Sequence, residues 1–100
     1  MAQTCLININ EKPGGGAEFN PADAKVAVGD VISWCNNTPE PHWPAPKDKP
    51  KDTWMDAEIP GKLPGQPAPT SQQALSFSGA TTVDYVCALH PEMQGTITVQ

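Results

Sequence analysis

The chain contains only two histidines, His42 and His90. The second lies in Cys87-Ala88-Leu89-His90-Pro91-Glu92-Met93, so cysteine, histidine and methionine recur at three-residue steps. A turn between two strands can bend three such side chains toward one point. His42, in Pro41-His42-Trp43-Pro44, can close the group from a neighbouring loop. A thiolate and a thioether are soft donors that favour Cu(I), while imidazole suits both oxidation states. Two imidazoles and a thiolate in a plane, with a weak axial thioether, make a copper site that passes single electrons. Taken one at a time these residues say little. Cys-x-x-His also serves zinc, a methionine usually fills a core, and a lone histidine usually sits at a surface. Zinc is the rival ion, but it gains little from Met93.

Strands must position these side chains. In residues 4–10, Cys5, Ile7 and Ile9 fall on one face, the period of a half-buried strand. Lys25-Val26-Ala27-Val28 reads as a short strand, Gly29-Asp30 as a turn, and residues 31–35 as the next strand, with Ile32 and Trp34 sharing a face. Residues 74–78 and 82–87 read as two more strands, and Ile97 and Val99 mark a last one. About seven short strands with turns between them predict a β-sandwich. The middle differs: nine of the twelve prolines lie between Pro39 and Pro69. That density predicts a Pro-rich surface loop at about 44–70, with Trp54, Met55 and Ile59 as its anchors.

Composition limits the alternatives. A chain of 100 residues is expected to be a single domain, 1–100. Eleven acidic and six basic side chains give −5. All the basic residues are lysines, and that balance argues against nucleic acid as a partner. Mean hydropathy is −0.41. No run of about 18 apolar residues is present to span a membrane. Pro and Gly total 20, too many for coiled coils or helical bundles. Residues 1–10 lack the charged and apolar regions of a leader, and Met1 reads as a start placed before a mature, exported chain.

The sequence resembles the cupredoxins, the small blue copper proteins, and within them the plastocyanin, amicyanin and halocyanin group. Phe19-Asn20-Pro21-Ala22, Val26 through Trp34, Asn36-Asn37 and Pro41-His42 carry the resemblance. So do Asp84-Tyr85-Val86-Cys87, His90-Pro91, Met93, Gly95 and Ile97-Thr98-Val99. It covers most of the chain outside about 44–70. It implies an all-β, Greek-key β-sandwich of about seven to eight strands. It further implies one type 1 (blue) copper ion, cycling Cu(II)/Cu(I), with His42, Cys87, His90 and Met93 as metal ligands. The expected function is that of a soluble one-electron carrier in the periplasm or another exported compartment, not an enzyme. The alternative is a copper carrier or buffer without a dedicated redox partner. A redox partner protein with a basic surface is expected to dock near His90 on a monomer, against Leu89, Pro91, Pro44, Trp43 and Ala88. Asp48, Asp52, Asp56 and Glu58 lie among lysines and read as a solvated stretch rather than a second steering patch.

Two departures from the family pattern stand out. Trp43 follows the first histidine where the family commonly has Asn, so a side-chain bridge between the ligand loops is lost. Its backbone N–H remains free to donate to the Cys87 sulfur. Leu89 precedes the second histidine where the family tends to have Pro. The resemblance also sets strand 4–10 parallel to strand 30–36, with Cys5 and Cys35 at different levels. Those two thiols are therefore expected to remain unpaired.

Overall fold

A computed structural model describes residues 3–100. The reading of Met1 as a replacement start falls on residues 1–2, outside the described residues. Among the described residues are seven strands and no helix. They are β1 (Thr4–Glu11), β2 (Ala17–Asn20), β3 (Asp23–Val26), β4 (Val31–Asn36), β5 (Pro44–Pro46), β6 (Thr81–Cys87) and β7 (His90–Val99). One sheet has the order β2-β1-β4 and the other β3-β7-β6-β5. Two pairings are parallel, β1 with β4 and β3 with β7. The expected all-β sandwich is thus observed.

Alternation explains why the two sheets face each other. Ile7 and Ile9 on β1, Phe19 on β2 and Ile32 and Trp34 on β4 turn inward from one sheet. Ala24 and Val26 on β3, Tyr85 on β6 and Ile97 and Val99 on β7 meet them from the other. At the centre, the Trp34 and Tyr85 rings pack edge to face with centroids 5.6 Å apart. The indole Nε1–H of Trp34 donates to the Tyr85 hydroxyl at 3.4 Å, so the buried phenol keeps a partner. Burial pushes the Tyr85 hydroxyl's pKa well up, and the Trp34 hydrogen bond opposes that shift.

Local boundaries depart from the sequence reading in three places. The strand expected at 25–28 begins at Asp23 and ends at Val26, because Ala27-Val28-Gly29-Asp30 closes as a turn with Gly29 at φ +89°. Residues 74–78 do not form a full strand. Leu75 alone makes a bridge to Ile32, exchanging backbone bonds of 2.7 and 2.9 Å. Alternation there reflects a segment that caps the free edge of β4 rather than one that adds a sheet strand. Within the Pro-rich stretch, Pro44–Pro46 is strand β5, and Met55 and Ile59 are buried in the core. Trp54 stacks on Trp34 with centroids 5.7 Å apart. The three apolar anchors therefore tie this segment down as expected.

Cys5 pairs with Ile32 and Cys35 with Asn8 on the parallel β1–β4 ladder. Three residues at about 3.3 Å each separate the two levels, roughly 10 Å, which no disulfide spans. All three cysteines are free.

Gly95 faces Tyr85 in the β6–β7 register. A Cβ there would lie 2.6 Å from the Tyr85 ring, so only glycine lets the phenol lie across the strand. Gly95→Ala is expected to lower stability by about 2 kcal/mol, the usual cost of overpacking, read from the urea midpoint. Asp30 accepts backbone N–H bonds from Ala27 (2.9 Å) and Gln3 (3.1 Å), which hold its carboxyl below the usual carboxylate range. A depressed pKa stabilises above the unfolded value and loses that effect as pH falls through the folded one. Asp30→Ala should therefore unfold at lower urea than the parent at neutral pH, and the gap should close below about pH 4.

Candidate metal centre

The β6–β7 hairpin carries three of the four candidate residues. Cys87 ends β6, Ala88 and Leu89 form the turn, and His90 opens β7. Here the structure differs from a simple ligand loop, since His90 and Met93 both belong to a strand. Strict alternation would send residues three apart to opposite faces. The pairing jumps from Val86↔Gln94 to Cys87↔His90, leaving Pro91-Glu92-Met93 without partners on β6. This bulge turns Met93 back, so that it lines one cavity of about 80 Å³ together with His42 and His90.

His42 arrives from the loop before β5. Its backbone exchanges two hydrogen bonds with Ile59, at 3.0 and 2.8 Å. Two residues on, Pro44 pairs with Cys87 in the β5–β6 ladder. The returning Pro-rich segment and the sheet together fix where the His42 ring lies. The ring is buried, 1% exposed, as are Cys87 at 0% and Met93 at 5%. His90 is the donor that reaches the surface, with its side chain 32% exposed and Nε2 3.6 Å from Glu40 Oε2.

Cys87 Sγ lies 3.5 Å from His42 Nδ1 and 3.6 Å from His90 Nδ1. A first-row metal bonds imidazole nitrogen at about 2.0 Å and thiolate at about 2.3 Å. At trigonal-to-tetrahedral angles, those bonds put sulfur and nitrogen about 3.6 Å apart, so the three donors fit one such ion. The backbone N–H of Trp43 donates to the same sulfur at 3.3 Å, as expected from its not being proline. Burial, with the neighbouring His90 adding to it, holds the His42 imidazole below its ordinary pKa and keeps the ring neutral. A neutral ring is the ligating form.

The side-chain bridge lost at Trp43 has a substitute. The Trp43 indole N–H donates to the Met55 carbonyl at 2.9 Å, and Ala88 N–H donates to the Trp43 carbonyl at 2.8 Å. The histidine loop is thereby stitched to both the Pro-rich segment and the ligand hairpin. Around His90, Leu89 and Pro91 are exposed, while Ala88 and Trp43 are half-buried. Pro44 does not belong to that apolar patch, because its pairing in β5 turns it into the core. Sequence reading passed over Thr38, whose Oγ1 lies 3.0 Å from His42 Nε2, and took Asn36, buried beside it, only as part of the family resemblance. Polar residues before a Pro-rich turn give no sign of burial.

Residues 5–100 match the family of copper binding proteins described as plastocyanin/azurin. The chain belongs to this cupredoxin family. Amicyanin-alpha of Methylorubrum extorquens is 27% identical over 109 residues, spanning 100% of this chain and 85% of the relative. Amicyanin from Paracoccus versutus superposes with a TM-score of 0.73 at 20% identity, over 97% of this chain and 81% of that one. A Cu(I) amicyanin variant gives a TM-score of 0.68 at 20% identity, over 97% and 82%. These structural likenesses support the cupredoxin fold. Within it, Trp43→Phe should keep the backbone donor to sulfur and lose only the indole bond. Stability is expected to fall by about 1 kcal/mol in urea titrations.

Proposed function

We propose that the chain is a soluble one-electron carrier with one type 1 copper ion held by His42, Cys87, His90 and Met93. The observation that carries this reading is the buried Cys87 sulfur within 3.6 Å of two imidazole Nδ1 atoms. When bound, copper supplies the Cu(II)/Cu(I) couple. The protein's own residues do the rest. His42 and Cys87 are anchored by strand pairing and Met93 is turned in by the bulge, so the donors need not move between oxidation states. Burial of three of the four donors excludes water and favours retention of the ion, which supports a carrier of electrons over a carrier of copper. We take residues 1–100 as one domain, with the segment at about 44–70 buttressing the metal-binding end.

His90 is the electron port in this reading, since its ring edge reaches solvent beside exposed Leu89 and Pro91. The net charge of −5 supports a redox partner with a basic surface. Likeness to the amicyanins supports an exported, periplasmic setting. No helix among the described residues is long and apolar enough to cross a membrane.

Addition of one equivalent of Cu(II) should give an intense visible thiolate-to-copper band, absent in Cys87→Ala. A colourless copper complex in the parent protein would overturn the proposal. With a positively charged electron acceptor, the second-order rate should fall as ionic strength rises, as screening weakens attraction beyond about 8–10 Å. Salt-independent rates would remove electrostatic steering from the account.

A further inference from the structure

We infer that the Thr38 hydroxyl is a positioning residue that fixes which nitrogen of His42 faces the metal. This inference rests on His42 being a copper ligand. It follows from donor and acceptor counts in a buried chain of side chains that ends at the His42 ring.

The chain begins at two backbone carbonyls. Asn36 Nδ2 donates to the Glu40 carbonyl at 2.8 Å and to the Pro60 carbonyl at 3.0 Å. Carbonyls only accept, so this end of the amide must be the NH₂ group. A flipped Asn36 would set its oxygen against both carbonyls. Asn36 Oδ1 is therefore fixed as the acceptor facing Thr38, and it takes the Thr38 N–H at 3.0 Å and the Thr38 hydroxyl at 2.8 Å. A further carbonyl, Glu40 O, lies 3.1 Å from that hydroxyl and can only accept.

A hydroxyl has one proton. Were that proton given instead to His42 Nε2, 3.0 Å away, the Thr38 oxygen would face Asn36 Oδ1 and Glu40 O with no proton between them; with the proton directed to either oxygen, the third contact is made by a proton on the imidazole. His42 is therefore the Nε2–H tautomer. Its Nδ1 carries the lone pair and points at the Cys87 sulfur 3.5 Å away. Asn36, Thr38 and His42 are all at most 2% exposed, so no solvent competes for these bonds. The direction of each bond is inherited from the one before, back to carbonyls that cannot reverse. Partners of this kind on the far nitrogen of a ligating histidine orient the ring and raise metal affinity.

The test uses ¹⁵N-labelled metal-free protein in mildly alkaline buffer, where two-bond ¹⁵N–¹H correlations report the tautomer of His42 directly. The parent protein should show Nε2–H alone. A dominant Nδ1–H form in the parent would overturn the inference without any variant. Thr38→Val keeps the shape and removes the hydroxyl, and it should mix the two tautomers and weaken copper binding roughly 10–100-fold. Thr38→Ser should restore both. Thermal unfolding of each variant separates loss of positioning from loss of fold. A folded Thr38→Val protein with the parent's tautomer and the parent's copper affinity would also overturn the inference. A parent protein lacking the blue band but showing the Nε2–H tautomer would instead refute the copper reading, so the two failures are distinguishable.

Discussion

A sulfur atom with no exposure and three nitrogen atoms within 3.6 Å is the constraint around which this molecule is organised. A polar group buried without a partner or a metal is costly. The arrangement is stable only if every group around it is held by something else. Trp43 supplies a backbone N–H, and its own carbonyl is taken by Ala88. His42 has Thr38 on its far side. Among the described residues, no buried side-chain nitrogen or oxygen lacks a partner. Polar atoms packed this completely leave the donors few alternative arrangements.

The sandwich core is what makes that constraint affordable. Trp34, Tyr85 and Trp54 pack against one another beneath the metal-binding end, and Phe19 meets Tyr85 at 4.7 Å. Tyr85 lies two residues before Cys87 on the same strand, so the packing that holds the ring also sets the height of the sulfur. Gly95 across the ladder leaves room for the ring. The Pro-rich segment works with the core rather than apart from it. It buries Met55 and Ile59, returns two backbone bonds to His42 and receives the Trp43 indole bond. Proline suits this task, since a chain with few conformations loses little entropy when ordered.

At the surface the balance changes. His90 alone among the donors reaches solvent, and its neighbours Leu89 and Pro91 give that end an apolar face with Glu40 at its edge. A small apolar contact area suits a brief encounter, in which partners must separate after each transfer. In the proposed function, the buried donors hold the ion and this exposed face meets the partner.

Residue types and their spacing determined the chemistry here. Two histidines, a Cys-x₂-His-x₂-Met run and alternating strands were enough to read a copper site on a β-sandwich, because ligand identity and strand period are local properties of the chain. The parallel β1–β4 pairing, and with it the separation of Cys5 from Cys35, came through resemblance to the cupredoxins. Other features depend on contacts between distant segments. The bulge that returns Met93 arises from how β6 and β7 pair, which no local pattern encodes. Pro44 reads as surface and is core, since its place is set by Cys87 some forty residues away. Residues 74–78 alternate as a strand does, yet only Leu75 pairs, because the edge of β4 offers a place for one bridge there and no ladder. Thr38 and Asn36 gained their roles only when the fold removed water from around them, for a hydrogen bond has a fixed direction only where solvent cannot replace either partner.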